Sequence, residues 1–215
     1  MNPWKYENLF YLTSQKSRIL KIIDQYEVYK KILNIKGDIV ECGVFKGASF
    51  IRLLTFRDLL ENKNKRKIFG FDSFGKFPHP QKNKTNLRLD KSFADRHDKN
   101  IGLGIPEKKL ILYLKKKKAN NFKLIKGNVI NTIPSFFKNK RNKIALLHLD
   151  LDIFEPTYFV LNYLFDRISK GGIILLDDYK HIKGATIAVD KFLKSSNLKV
   201  KKVSKNGRPS YIQKI

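Results

Sequence analysis

A single cysteine, Cys42, among 215 residues excludes an intramolecular disulfide and any cysteine-rich zinc cluster, and reads as a small buried apolar residue. Long apolar runs are missing too. No stretch approaches the ~20 consecutive apolar residues of a membrane span, and Lys5, Glu7, Lys16 and Arg18 interrupt any secretory leader, so the expected location is the cytoplasm. Acidic residues are scarce: 19 Asp and Glu face 45 Lys and Arg, for a net charge of +26. Such an excess raises nucleic acid, an anionic membrane surface or an acidic glycan as partners. Yet it is mostly lysine spread along the whole chain beside abundant Asn and Ile, and no nucleic-acid-binding motif accompanies it. Its densest run, Lys115 to Lys118, ends an expected helix, where cations complement the helix dipole.

What is present is the alternation of an α/β domain, and the 42% hydrophobic content suits one domain over residues 1–215. Residues 4–33 carry Leu9, Leu12, Ile19, Ile22, Val28 and Ile32 at helical spacing, which predicts one or two N-terminal helices, within residues 1–35, packed on the domain. Asp38 to Cys42 reads as a strand, Gly43 to Gly47 as a tight loop and Ala48 to Leu60 as a helix. Lys67 to Phe71 is a second strand, ending at Asp72. Residues 79–106 show no clear period, and so long an insertion reads as a lid over a substrate. Beyond it come a helix at Glu107 to Lys118, a strand at Phe122 to Lys126, a helical turn at Pro134 to Phe137 and an apolar strand at Ile144 to Leu149. A helix from Pro156 to about Ile168, broken by Gly171-Gly172, leads into a strand at Ile173 to Leu176. A helix at about Ala185 to Leu193 and extended pieces at Lys199 to Val203 and Ser210 to Gln213 complete a mostly parallel sheet with helices on both faces and an antiparallel edge hairpin.

Chemistry concentrates where strands end. Glu41-Cys42-Gly43-Val44-Phe45-Lys46-Gly47 places glycines where backbone must approach a ligand closely, but without the three clustered glycines that admit a pyrophosphate. Asp72 closes the next strand, where nucleoside sites accept hydrogen bonds from ribose hydroxyls. Asp150, Asp152 and Glu155 crowd the end of one apolar strand and Asp177-Asp178 the end of another. Neighbouring in the sheet, Asp150, Asp177 and Asp178 repel unless a cation lies between them, and an all-oxygen set suits Mg²⁺ or Mn²⁺ rather than zinc. The competing role for any of these aspartates is to cap the following helix. His148, inside an apolar strand, reads as a satisfied core residue, while His181 competes with Asp150 and Asp152 as a base.

These segments, with Asp72-Ser73-Phe74, Glu155-Pro156-Thr157 and Asp177-Asp178-Tyr179, resemble the macrocin O-methyltransferase (TylF/MycF) family from about Lys36 to Phe192. The resemblance implies a Rossmann-like class I methyltransferase that uses S-adenosylmethionine and Mg²⁺ (or Mn²⁺) to methylate a hydroxyl of a sugar or glycan-related small molecule. Motif by motif, it implies Glu41, Gly43 and Asp72 as cofactor residues; Gly47, Ser73 and Asn128 are expected to bind the cofactor with them, Asn128 departing from the acidic or aromatic residue many methyltransferases have near the adenine. It implies Asp150, Asp177 and Asp178 as metal ligands; of the candidate bases, an aspartate, Asp150 or Asp152, is expected to take the proton. Two alternatives stay open: a catechol-like phenol as acceptor, and a non-catalytic domain holding RNA or anionic glycan. The oligomeric state, a homo-oligomer included, is not fixed by the sequence.

Overall fold

The computed structural model describes residues 2–62, 65–79, 87–139, 141–194 and 196–215. Five strands run parallel: β1 (Asp38–Cys42), β2 (Ile68–Asp72), β3 (Phe122–Lys126), β4 (Ile144–Leu149) and β5 (Ile168–Leu176). β6 (Val200–Lys202) and β7 (Ser210–Gln213) add an antiparallel edge, giving the order β3-β2-β1-β4-β5-β7-β6 among the described residues. Every residue of β4 is buried because helices cover both faces of the sheet. On one face α2 (Lys16–Lys31), α3 (Ala48–Leu60) and α5 (Glu107–Lys116) pack Tyr29, Phe50 and Leu114 against Ile39, Leu146 and Ile173. On the other, α6 (Val129–Phe137), α7 (Phe154–Leu164) and α8 (Lys183–Leu193) pack Ile133, Val160 and Val189 against Val40, Leu147 and Ile174. Odd and even strand positions thus feed separate core layers, as the twofold side-chain period demands.

Several expectations are corrected. α1 (Pro3–Thr13) buries no residue, so only α2 of the N-terminal pair packs on the domain. α6 begins at Val129 rather than at Pro134, because the Asn128 side chain caps it through the Ile130 N–H. The stretch before β5 is a helical turn at Phe165–Arg167, and the strand itself starts at Ile168 and runs through Gly171-Gly172. Gly171, at φ +78°, absorbs a shift of register between Ile144 and Leu146 of β4; the glycines make a bulge instead of a helix stop. The insertion, read as aperiodic, contains α4 (Leu87–Asn100), which buries Asp90 and Ala94 within an otherwise polar sequence; residues 80–86 of it lie outside the described residues. No described helix is long and apolar enough to cross a membrane.

Candidate active site

The carboxyl ends of β1, β2, β4 and β5 surround one cavity of about 720 Å³, within the usual range for small-molecule sites. Its first wall is the loop after β1. Gly43, at φ +94°, lies so close to β4 that a Cβ there would sit 1.8 Å from the Asp150 carbonyl oxygen, so only glycine lets the two strand ends meet. Asp72 fastens this loop. Its Oδ2 accepts the Val44 and Phe45 N–H groups at 2.9 Å each, and its Oδ1 accepts the Phe74 N–H at 2.6 Å. Gly43, Asp72, Ser73 and Asn128 all line the cavity. Glu41 and Gly47 do not. Glu41 is fully buried behind the wall, its Oε1 3.0 Å from His148 Nδ1, and Gly47, at φ +85°, turns the chain into α3 against Leu110. Both residues shape the wall from behind.

The second wall is acidic. Asp150, Asp152, Asp177 and Asp178 all reach the cavity, but in two sets around Asp150. Asp150, Asp152 and Asp178 bring ligand oxygens within 4.8 Å of one another. Asp152 manages this from a left-handed backbone, φ +62°, with its N–H donating to Asp178 Oδ2 at 3.0 Å. Asp177 turns the other way, toward His148 and Lys21, so the sequence-expected trio of Asp150, Asp177 and Asp178 is not one cluster. Burial and the charge of Asp177 push the Asp150 carboxyl up to about 7. Burial, with Asp177 adding and His97 opposing, takes Asp152 to about 6, and burial plus three neighbouring aspartates puts Asp178 well above its ordinary value. Asp177 goes down: burial opposes ionisation, but His148 and Lys21 outweigh it. His148 is core, as expected, yet only half satisfied. Burial opposes its protonation, Asp177 and Glu41 favour it, and its pKa rises to about 10, while Nε2 has no hydrogen-bond partner among the described residues and faces Asp177 Oδ1 across 3.9 Å.

Three participants carry no strand-end signature in the sequence. Lys21, from α2, places its ammonium 2.7 Å from Asp177 Oδ2 and 3.8 Å from Asp150 Oδ2, while at the Asp150–Asp152–Asp178 locus Arg208 Nη2 stands 3.7 Å from Asp178 Oδ1. Asp90 of the insertion accepts the Phe154 and Glu155 N–H groups at 2.9 and 3.0 Å, capping α7 from a distant segment and tying α4 to the acidic wall. His97, also from α4, stands in the cavity among Phe45, Phe77 and Phe93, with ring centroids 5.6, 4.5 and 5.8 Å away. His181 is exposed and absent from the lining, so it drops out as a base.

The chain is similar to known methyltransferases. The demethyldecarbamoylnovobiocin O-methyltransferase of Streptomyces niveus is 27% identical over 170 residues, covering 74% of this chain and 59% of the relative. The 8-demethyl-8-(2,3-dimethoxy-alpha-L-rhamnosyl)-tetracenomycin-C 4'-O-methyltransferase of Streptomyces olivaceus is 29% identical, covering 67% of this chain. The chain spans 59% and 54% of these two relatives' own lengths. Among solved structures, CalS11, described as a TDP-rhamnose 3'-O-methyltransferase, superposes with a TM-score of 0.69 at 23% identity, covering 99% of this chain and 86% of that one. The fold is the Rossmann-like class I methyltransferase fold. The sequence profile described as "Macrocin-O-methyltransferase (TylF)" matches residues 16–207, from the helix that carries Lys21 to the loop before β7, and the chain belongs to that family.

Proposed function

We propose that the protein transfers the methyl group of S-adenosylmethionine to a hydroxyl of a sugar or sugar-containing small molecule, with Mg²⁺ or Mn²⁺ at the acceptor side. The observation that carries this reading is that one cavity holds both a glycine loop fastened by Asp72 and three crowded carboxylates with oxygens within 4.8 Å. Negative charges so close, with pKa values raised by one another, are the donor set of a hard cation. The rhamnosyl and TDP-rhamnose acceptors in the relatives' names support the acceptor class.

S-Adenosylmethionine, when bound, supplies a methyl group on a sulfonium leaving group. Asp72, Ser73 and Asn128, which line the cavity, would hold its nucleoside, and Gly43 lets the ends of β1 and β4 meet beside them. A divalent ion held by Asp150 and Asp178, when bound, makes a coordinated hydroxyl more acidic. Asp152 would accept the proton of a bound acceptor hydroxyl; a carboxyl pushed up to about 6 is ionised at neutral pH and still basic enough to do so. Asp150 orients the same oxygen, and Lys21 with His148 holds Asp177 beside it. The rings of Phe45, Phe77 and Phe93 exclude water and present a flat apolar wall. That wall also fits a phenol, the one feature that favours the alternative acceptor. Calorimetric titration with S-adenosylmethionine, with and without Mg²⁺, and transfer assays on paired sugar and phenol panels test the reading. Absence of cofactor binding would leave a non-catalytic domain, and full turnover in EDTA would remove the metal.

A further inference from the structure

Exposed apolar side chains concentrate at one place. Among the described residues twelve large hydrophobic side chains are exposed, and five of them, Trp4, Tyr6, Leu9, Tyr11 and Leu12, sit on the 11 residues of α1. A sixth, Ile23, lies on α2, one turn after the half-buried Ile19 on the same face. At 3.6 residues per turn the α1 side chains point to every side of the helix, the pattern of a helix enclosed by neighbours, yet α1 buries no residue. At ~150–250 Å² per aromatic side chain, exposures of 71%, 56% and 60% at Trp4, Tyr6 and Tyr11 leave roughly 300–450 Å² of aromatic surface in water before the leucines are counted. One side of a stable homodimer buries about 800 Å², about two-thirds of it apolar, so α1 and Ile23 together offer about the apolar area required. Charge points to the same helix. At a net charge of +26 two copies repel across most of their surface, but the charged residues of α1 are Lys5 and Glu7 alone, which cancel. The family match begins at residue 16, so α1 lies outside the span shared with the family, and no core contact accounts for its apolar residues.

We propose that α1 and the Ile19–Ile23 face of α2 pack against the same helices of a second copy of this chain across a twofold axis, forming a homodimer. α2 also carries Lys21 to Asp177, so the contact braces the helix that sets a cation against the acidic wall. Trp4 is the only tryptophan of the chain, which makes its emission a direct report on α1. Sedimentation equilibrium of the full chain tests this, with Trp4 emission recorded over the same dilution series, from about 100 µM to 0.1 µM. The mass should be twice that of one chain at the concentrated end, and the emission should move to the red as the dimer dissociates. Added salt should strengthen association by screening the net charge. The double variant Tyr11→Ser, Leu12→Ser should weaken association by at least about a hundredfold, since each copy loses two apolar side chains from the contact. Its circular dichroism should stay that of the wild type, because α1 buries nothing within its own chain. Leu112→Ser, which removes an exposed leucine from α5 instead, should change neither mass nor emission. A single-chain mass at every concentration would overturn the proposal, and so would a dimer that persists in the double variant. Emission that moves to the blue only with phosphatidylglycerol vesicles, at single-chain mass, would assign α1 to an anionic membrane surface instead.

Discussion

The two ends of the sheet bury charge in opposite ways. At the amino end, Arg57 is fully buried and donates to the carbonyl oxygens of Arg66, Asn120 and Asn121 and to Asp58. Arg66, 2% exposed, donates to the carbonyls of Ile32, Ile35 and Gly37 and pairs with Glu61 at 2.8 Å. Burial raises the Glu61 pKa, but Arg66, Tyr29 and Lys65 bring it below the usual value. At the carboxyl end the balance fails: among the described residues Glu41 Oε2, His148 Nε2 and Asp177 Oδ1 are buried without hydrogen-bond partners, and Asp150, Asp152 and Asp178 repel one another. Satisfied buried charge fixes loops to strands. Unsatisfied buried charge is tolerated where a ligand is to complete it.

If that contrast is right, the two ends respond to mutation in opposite currencies. The largest effect on stability belongs to the amino end. Arg66→Ala should cost ~3–5 kcal/mol, because it removes the buried guanidinium paired with Glu61, leaving that carboxylate Tyr29 and Lys65, and takes the donor from the Ile35 and Gly37 carbonyl oxygens; this should appear in denaturant unfolding. At the carboxyl end Asp178→Asn should cut methyl transfer by roughly a hundredfold to a thousandfold, equivalent to about 3–4 kcal/mol of transition-state stabilisation. Its metal-free melting temperature should hold or rise, since one of several repelling charges is gone. A loss of stability in Asp178→Asn comparable to that of Arg66→Ala would dissolve the distinction. Next in size is Asp72→Ala, at ~1–3 kcal/mol of cofactor affinity read by calorimetry. Asp72 also fastens Val44 and Phe45, so the same variant should expose the loop to protease; unchanged cofactor affinity would confine Asp72 to that structural task.

The contrast also explains what the sequence could disclose. Gly43, Asp72 and the Asp150–Asp152 and Asp177–Asp178 pairs sit at strand ends set by local apolar runs, so their convergence follows once the strand order is assumed. Lys21 meets Asp177 across 156 positions of sequence and Asp90 reaches Phe154 across 64, and no local pattern marks either partner. The glycines at 171 and 172 misled because a bulge inside a strand and a stop after a helix draw on the same left-handed freedom; only the pairing with β4 tells them apart. Glu41 stands two positions before Gly43 in the motif, and only the neighbouring strand shows that its carboxylate is taken up by His148, 107 positions away, behind the cavity wall.

Lys21 offers the smallest and sharpest test, because among the described residues it is the cation that approaches the acidic wall most closely, nearer than Arg208 at 3.7 Å from Asp178. Its ammonium lies 2.7 Å from Asp177 and 3.8 Å from Asp150, and a divalent ion drawn to Asp150 must approach that positive charge. Lys21→Met should therefore tighten Mg²⁺ by about fivefold to tenfold, or roughly 1 kcal/mol, in direct calorimetric titration. Without metal the variant should be less stable than the wild type, and pH sets by how much. Asp150 and Asp152, with folded pKa values near 7 and 6 above an ordinary 3.8, bind protons more tightly when folded. Their contribution to stability is complete below about pH 4 and is lost as pH rises through 6 and 7. Asp177, with its pKa lowered by Lys21 and His148, contributes above its ordinary value instead. Removing Lys21 raises the proton affinity of all three, so its cost is greatest above pH 7, where the carboxylates are ionised, and shrinks toward pH 4. Saturating Mg²⁺ should supply the missing cation and close the gap in melting temperature at pH 8. A Lys21→Met variant with wild-type Mg²⁺ affinity and a deficit independent of pH would show that the lysine packs α2 against the sheet and nothing more; weaker Mg²⁺ binding would make it a partner of the metal rather than its rival.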